Sequence, residues 1–284
     1  MHFDHHSANA SINLEKDVYY SENAIVTARD SWTSATPTFF GAKGGRAADD
    51  HGHLDMGTFA FYSNGVRWLH DWSAEDYNLP GYWRGTTADG ERWKYFRTRA
   101  EAHNCLVINP DEYAEYDPAV MVKFTDYQSD EDSVIAVLDM TDAHGIKASN
   151  AKRGYFLTDD RQSLVVRDEV TVTENSEIYF FLQTEHNVAI NGNTVTLTDK
   201  SGSGKTLKID FTCDTDFSLS KGSPEPLPTS PHPDGLEANY GSRISLKTTA
   251  SSSVNITVKF TPAGVNGSSV NDYHIPIETW SINN

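Results

Sequence analysis

The chain has 284 residues, with 23 lysines and arginines against 40 aspartates and glutamates, which gives a formal net charge of −17 at pH 7 with neutral histidines. This balance disfavours nucleic-acid binding through a broad basic face, because neutralising phosphates requires many cations. No apolar stretch approaches the roughly 20 residues that a membrane-spanning helix needs, and the length is ample for a hydrophobic core.

Residues 1–15 read as a ragged N-terminal segment ahead of the folded part. Met1 is followed by His2, Phe3 and Asp4, and no basic region or apolar region of a signal peptide is present. The chain itself therefore shows no targeting signal. We expect this segment to be an artificial boundary or the tail of a preceding domain.

The first element with a clear pattern is a β-hairpin. Asn64-Gly65 favours a two-residue turn and separates the apolar runs Thr58–Ser63 and Val66–His70. Because alternation buries one face of a sheet, the larger side chains of this hairpin are expected in the core, namely Phe59, Phe61 and Trp68. A short helix is predicted after it, at Ala88–Ala102.

The rest of the chain is rich in short strands. Length and β-branched content predict strands at Val134–Leu138, Tyr155–Leu157, Ser163–Val166, Ile178–Leu182, Thr194–Leu197, Leu207–Phe211 and Val254–Val258. A second hairpin is predicted at Asn191-Gly192-Asn193, and the proline-rich stretch Ser218–Gly241 is a turn-dense connection. The strands are regularly spaced, and few segments show the hydrophobic periodicity of a helix. This pattern indicates an all-β fold, a large antiparallel β-sandwich.

The strand pattern indicates a weakly defined boundary near residue 190, between a larger and a smaller sheet region. We predict a main β-sandwich over residues 16–190 and a smaller C-terminal β region over residues 191–284. Cys105 and Cys213 both lie in strand-like sequence, and we predict two free thiols rather than a disulfide.

The segment between Ala42 and Arg99 differs in composition from the rest. It holds eight basic and eight acidic residues, so the excess acid lies elsewhere in the chain. It also contains four of the six tryptophans, together with several tyrosines. The flat faces of aromatic side chains can stack on sugar rings, and the planar guanidinium group of arginine can donate paired hydrogen bonds to a carboxylate or sulfate. The segment therefore predicts a site for an anionic saccharide.

The same segment carries a His-x-His-x-Asp pattern at His51, His53 and Asp55. Histidines two apart on extended chain point to the same side, and a nearby carboxylate completes a donor set suited to Zn²⁺. His70-Asp71 and His103 are further candidates. A buried, hydrogen-bonded histidine pair is the structural alternative to a metal or catalytic role.

Strand geometry constrains which carboxylate could join the histidines. With a two-residue turn, Ser63 faces Val66, so Phe59 would face His70 and Thr58 would face Asp71. An unbroken strand back to His53 would place that residue on the face of His70 rather than Asp71. For Asp71 to meet His53, the alternation must break near Gly57 or Gly52.

Several ordered motifs resemble the heparinase II/III family of polysaccharide lyases. They are Asp49–Phe59 (DDHGHLDMGTF), Trp68–Asp71 (WLHD), Tyr77–Trp83 (YNLPGYW) and Arg99–Ile108 (RAEAHNCLVI). The match covers about residues 25–110. The chain departs from the family pattern at Asp50, where asparagine is frequent, and at Cys105, where threonine is frequent.

The resemblance implies roles for particular residues. His51 would be the catalytic histidine, while His53, Asp71 and His103 would hold a metal, usually zinc, that mainly braces the site. This favours Asp71 over His70 and implies the break in alternation. The substrate-binding candidates are the aromatic and arginine side chains Tyr77, Tyr82, Trp83, Arg97 and Arg99.

The resemblance also implies a fold and a reaction. Such lyases combine an N-terminal α/α toroid with a β-sandwich and cleave uronic-acid-containing polysaccharides by β-elimination. No toroid precedes the motifs in this chain, so it would carry half of an active site and need that domain as its partner. The full-length protein would be periplasmic or secreted, and its substrate heparin, heparan sulfate, alginate or another uronate polymer.

Two other functions remain open on sequence grounds. A non-catalytic carbohydrate-binding β-sandwich would use the same aromatic and arginine residues without chemistry. A zinc hydrolase of metallo-β-lactamase type also displays His-x-His-x-Asp, although Met56 stands where a further histidine is usual and the flanking helices of that fold are not predicted.

Overall fold

A computed structural model describes residues 14–282, so nearly all of the predicted ragged segment 1–15 lies outside the described residues. The first of three antiparallel sheets follows the order of the chain, with strands β1 (Val18–Tyr20), β2 (Ile25–Arg29), β3 (Phe39–Lys43), β4 (Phe59–Ser63) and β5 (Val66–Arg67).

The later strands form the other two sheets. They are β6 (Leu106–Ile108), β7 (Lys123–Ser129), β8 (Val134–Asp139), β9 (Ala148–Thr158), β10 (Ser163–Val172), β11 (Ser176–Thr184), β12 (Asn187–Asn191), β13 (Thr194–Thr198), β14 (Thr206–Cys213), β15 (Phe217–Gly222), β16 (Ser242–Ala250) and β17 (Ser253–Pro262). The eight-stranded sheet has the order β12-β13-β14-β17-β10-β9-β8-β7, and the four-stranded sheet has the order β15-β16-β11-β6.

One face of the eight-stranded sheet forms the main core. Tyr155 and Phe211 project from this face, because their cross-strand partners follow one another through β10 and β17. Tyr155 contacts Phe40 of the five-stranded sheet, with ring centroids 5.4 Å apart, and Phe211 contacts Phe180 of the four-stranded sheet at 6.4 Å. The two smaller sheets therefore pack against the same face, and the predicted all-β sandwich is confirmed.

The opposite face of the eight-stranded sheet is covered by the C-terminal segment. Ile135 and Val165 form a second apolar cluster there with Ile277 and Trp280. Gly154 lies directly beneath this cover, since a Cβ atom at that position would be 2.7 Å from the Trp280 ring. Alternation along these strands thus buries apolar side chains on both faces.

The helix predicted at Ala88–Ala102 is wrong. The segment instead forms three short 3₁₀ turns, at Glu91–Lys94, Phe96–Thr98 and Ala100–Ala102. Each turn ends at an extended residue, and the buried side chains lie on all sides of the segment rather than on one helical stripe. The remaining helical turns are α1 (Thr141–His144) and the 3₁₀ turns Gly145–Lys147, Val270–Tyr273 and Ile277–Thr279.

None of the helices within residues 14–282 has the length and apolar character needed to cross a lipid bilayer. The hairpin predicted at Asn191-Gly192-Asn193 is confirmed, with Asn191 paired to Thr194. Cys105 and Cys213 are free thiols, as predicted, and Cys105 is buried. The division into residues 16–190 and 191–284 stays a prediction, and the eight-stranded sheet gives it no support because it contains strands from both parts.

Candidate active site and cation site

The loop that carries His51 and His53 precedes β4 and does not extend it. β4 begins at Phe59, and Gly57 adopts a φ of 84°, in the left-handed region that favours glycine. His51 also has a positive φ, of 62°. The expected break in alternation near Gly57 is therefore present, and strand periodicity does not fix the direction of the His53 side chain.

The chain leaves the hairpin soon after its turn. Ser63 pairs with Val66 as predicted, but β5 is only two residues long. The backbone N–H of His70 then donates to the Gln183 carbonyl on β11 at 2.9 Å. The predicted pairing of Phe59 with His70 is wrong, because the chain crosses to the four-stranded sheet before reaching that register.

This crossing brings together the three residues predicted to hold a metal. The Asp71 carboxylate accepts a hydrogen bond from His103 Nδ1 at 3.0 Å, and the His53 and His103 ring centroids are 5.4 Å apart. His103 is 1% exposed, whereas half of the Asp71 side chain remains accessible, at 51%. Residues from three separate segments thus meet in one small cluster.

The cluster has the donor chemistry for a divalent cation but is not arranged as a coordination sphere. Within residues 14–282, no three histidine, cysteine, aspartate or glutamate side chains are placed so that they could hold a metal ion together. However, Nε2 of His103 is buried and has no hydrogen-bond partner. Because Asp71 fixes the proton on Nδ1, Nε2 is the nitrogen that an ion could use, and two imidazoles with one carboxylate suit Zn²⁺.

The two histidines of this cluster, half-buried His53 and buried His103, have pKa values shifted in opposite directions. Burial, followed by the charge of His103, lowers the pKa of His53 from 6.5 to about 4. Burial also opposes ionisation of Asp71 and His103, but their attraction and hydrogen bond prevail, so the pKa of Asp71 is lowered and that of His103 is raised. His53 is therefore neutral near pH 7, with a lone pair available to a ligand.

A second cluster surrounds His51. The His51 ring lies 5.0 Å from the Tyr77 ring and 5.1 Å from the Trp83 ring, and Tyr77 and Trp83 are themselves 5.5 Å apart, all between centroids. His51 is exposed, and Tyr77 and Trp83 are 42% and 50% exposed. The structure therefore places the predicted catalytic histidine beside two of the predicted substrate-binding aromatics.

Two other predicted substrate contacts lie in the interior. Tyr82 is 1% exposed and packs beneath Tyr77 and Trp83. Arg99 is completely buried, where its guanidinium is paired with Glu101 at 3.2 Å and with Glu115 at 3.0 Å. Direct sugar contact by Tyr82 or Arg99 is inconsistent with these positions, because neither side chain reaches the surface.

Arg97 is half-buried and ties two loops together. Its Nε donates to Asn239 Oδ1 at 2.8 Å, and its Nη1 donates to the Ala74 carbonyl at 3.3 Å. Arg97 also lines an open cavity of about 490 Å³ together with the acidic residues Glu75, Asp76 and Glu237. Its side chain is 15% exposed, so it keeps limited access to the surface, whereas Arg99 has none.

The carboxylate inside the His-x-His-x-Asp pattern has a different partner. Both oxygens of Asp55 accept hydrogen bonds from Lys43 Nζ, at 2.6 and 2.7 Å. This ion pair ties the loop to β3. Asp71, which is remote in sequence, is therefore the carboxylate that contacts the histidine cluster.

Two buried residues that the sequence did not indicate hold the site segments in place. Arg153 Nη1 donates to the carbonyls of Gly57 and Asn104, at 2.7 and 2.9 Å, while Asp168 neutralises the guanidinium at 2.6 and 2.7 Å. Gln183 bonds to both the His70 and the His103 segments. Neither residue stands in a recognisable motif, and only their strand positions bring them to the site.

Comparisons with known proteins agree with this architecture. A family model described as heparinase II/III-like, C-terminal, matches residues 32–253. The structure resembles the crystal structure of heparinase III with a TM-score of 0.68 and 17% identity, over 89% of this chain and 37% of that one. It resembles heparan sulfate lyase HepC from Pedobacter heparinus with a TM-score of 0.63 and 13% identity, also over 89% and 37%.

At these identities, the likeness to solved structures shows the fold. This chain spans 37% of the length of either protein. A comparison with curated protein sequences gave no match. The zinc-hydrolase alternative is wrong, because the chain forms an antiparallel sandwich of a different family. Since the family match covers most of the sequence, the chain belongs to the heparinase II/III-like C-terminal family.

Proposed function

We propose that this chain is the β-sandwich part of a polysaccharide lyase that cleaves a uronic-acid-containing polysaccharide by β-elimination. The observation that carries the proposal is the exposed contact of His51 with Tyr77 and Trp83, within the region matched by the family. The similar solved structures are heparinase III and a heparan sulfate lyase, which favours a glycosaminoglycan, with alginate as the second candidate.

The reaction requires a proton to be moved at two atoms. A base removes the proton at C5 of the uronate, and the electrons of that C–H bond form a double bond between C4 and C5. The C4–O bond breaks, and its electrons go to the glycosidic oxygen, which takes up a proton. We assign His51 a proton-transfer role, because imidazole can accept and release a proton near neutral pH.

Binding and charge neutralisation would be divided among other groups. Tyr77 and Trp83 offer flat, exposed faces to sugar rings. Arg97, whose side chain is 15% exposed, is the proposed cationic contact. The C5 proton becomes acidic enough only when the neighbouring carboxylate is neutralised, so donors to that carboxylate are essential. We propose that an N-terminal α/α toroid, outside this chain, supplies those donors and the second proton-transfer group.

The cation site belongs to the same proposal. His53, Asp71 and His103 would hold a divalent cation, with Zn²⁺ the best fit to two imidazoles and a carboxylate. Its chemistry here would be structural, since it would cross-link three segments of the chain beside the catalytic loop. For the full-length protein we propose action in the periplasm or outside the cell.

The second candidate function is a carbohydrate-binding module without catalysis. The observation in its favour is that Tyr77 and Trp83 expose adjacent aromatic rings, 5.5 Å apart between centroids, and stacking on a sugar needs no further chemistry. Binding and lyase activity make different demands on His51, which allows an experiment to separate them.

The test is to incubate this chain, and a longer form that includes the preceding domain, with heparin, heparan sulfate and alginate. Ultraviolet absorbance of the unsaturated product reports lyase activity, and calorimetry reports binding. His51→Asn is the informative variant, because asparagine tolerates the left-handed backbone at this exposed position.

We expect the longer form to produce unsaturated sugar, His51→Asn to abolish this product, and the isolated chain to bind without turnover. Turnover by the isolated chain would overturn the half-site proposal. Binding without product by the longer form on all three polymers would favour the binding module.

A further inference from the structure

Gln183 is a completely buried residue near the end of β11, and all four of its hydrogen-bonding groups are engaged. Its backbone carbonyl accepts from the His70 N–H at 2.9 Å, and its side-chain oxygen accepts from Trp72 Nε1–H at 3.1 Å. Its backbone N–H donates to Asn104 Oδ1 at 2.8 Å, and its side-chain Nε2 donates to the Glu101 carbonyl at 3.0 Å.

These four bonds divide evenly between two segments of the chain. His70 and Trp72 stand on either side of Asp71 in sequence, while Glu101 and Asn104 enclose His103. One side of Gln183 therefore fixes the segment of the carboxylate, and the other side fixes the segment of the imidazole. Asp71 Oδ2 and His103 Nδ1 meet at 3.0 Å between the two anchored segments.

Neighbouring contacts make β11 a rigid support for this arrangement. β11 pairs with β6, which directly follows the His103 segment, and the Phe181 N–H donates to the Cys105 carbonyl at 2.9 Å. The Asp71 segment has no strand pairing of its own at this point, since β5 ends at Arg67. The bonds from Gln183, together with the one that Thr184 Oγ1 donates to the Trp68 carbonyl at 2.9 Å, connect it to the sheet that the His103 segment enters through β6.

We propose that Gln183 is a positioning residue that sets the Asp71–His103 pair. The inference rests on the proposed function only in assigning that pair to the cation site, because the geometry is independent of any ion. Side chains that orient metal ligands typically change metal affinity by about 10–100-fold when they are replaced.

The test compares Gln183→Met with Thr248→Val in the full chain. Gln183→Met retains the unbranched shape and removes two buried side-chain hydrogen bonds. Thr248→Val also removes two, to the Asp216 carbonyl and to Thr215 Oγ1, in the same sheet but away from the site. The control therefore reproduces the loss of buried bonds without touching the Asp71 or His103 segments.

Two measurements are made on each variant. Competition titration with Zn²⁺ gives the ion affinity, and proton NMR of the chelated, metal-free chain follows the low-field resonance of the His103 Nδ1 proton bonded to Asp71. We expect Gln183→Met to weaken Zn²⁺ binding at least about 10-fold and to shift or lose the resonance, while Thr248→Val changes neither.

If Gln183→Met does not fold, Trp72→Phe decides the question, since it removes one of the four bonds from the opposite partner. It is expected to move the resonance and weaken Zn²⁺ binding to a smaller extent. An unchanged resonance in the folded variants would overturn the positioning role. Absence of Zn²⁺ binding in the unsubstituted chain would overturn the cation assignment alone, because the NMR measurement needs no ion.

Discussion

His51 and His53 are separated by one residue, yet they belong to regions of opposite character. His51 is exposed and touches the rings of Tyr77 and Trp83. His53 is half-buried beside His103, and its pKa is lowered to about 4. The comparison teaches that one short loop can place two nearby histidines in different surroundings, one in an exposed aromatic cluster and one in a half-buried polar cluster, because its backbone is not a regular strand.

The buried region should govern stability, and its support by Arg153 gives the largest expected effect. Arg153→Met removes a 1% exposed guanidinium and leaves Asp168 as an uncompensated buried charge. We expect the free energy of unfolding to fall by about 3–5 kcal/mol. Denaturant titration measures this change.

The matched control is Arg46→Met, which breaks an arginine–aspartate pair with Asp49 whose side chains are 47% and 48% exposed. A surface pair of this kind contributes about 0–1 kcal/mol. Equal losses in the two variants would contradict the claim that the interior contact with Gly57 and Asn104 supports the fold.

Zinc should stabilise the folded chain through the cluster of His53, Asp71 and His103, and not through His51. An ion present at about 100 times its Kd adds about 2.7 kcal/mol to the stability of the folded state. We expect zinc to co-purify with the chain, zinc addition to raise the Tm, and His53→Ala to abolish that rise. His51→Asn should retain the full response, and a loss of the response in both variants would remove the distinction between the two histidines.

Acid should lower the free energy of unfolding through another buried histidine, His144, whose ring contacts Tyr116. Burial, followed by the charges of Lys147 and Arg153, lowers its pKa from 6.5 to about 3. Because the unfolded chain binds the proton more readily, the stability from neutral His144 is present above pH 6.5 and is lost as the pH falls toward 3.

Between pH 6.5 and 5, this loss amounts to about 2 kcal/mol. His144→Gln has no titrating ring, so its unfolding free energy should fall less steeply over that interval. Denaturant titrations with chelator present, at both pH values, give the two slopes. Identical slopes would show that His144 does not contribute to the acid sensitivity.

The exposed region should give the smallest effect on stability. Trp83→Ala removes a half-exposed side chain and should change the unfolding free energy by no more than about 0.5 kcal/mol. Binding of heparan sulfate should weaken nonetheless. Tyr113→Ala is the control, because Tyr113 is also 50% exposed but belongs to no part of the His51 cluster. Equal binding by both variants would remove Trp83 from the proposed surface.

Much of the fold could be predicted from alternation and turn chemistry. The strands around Val134–Leu138 and Val254–Val258 appear where their β-branched runs stand, and Asn191-Gly192-Asn193 forms its hairpin. The helix predicted at Ala88–Ala102 failed because nearly all positions from Arg92 to Ala102 are buried, so that no single apolar stripe exists for a helix to present.

The sequence by itself determined the sandwich class and the motif residues that converge, since strand periodicity and motif identity are local properties. The family resemblance implied that Asp71 joins His53 and His103, but only the tertiary structure decided that Asp55 pairs with Lys43 and that Tyr82 and Arg99 lie inside. The physical reason is that side-chain burial and pairing depend on strands remote in the chain. Gln183 and Arg153 hold the motif loops through hydrogen bonds that no local pattern encodes.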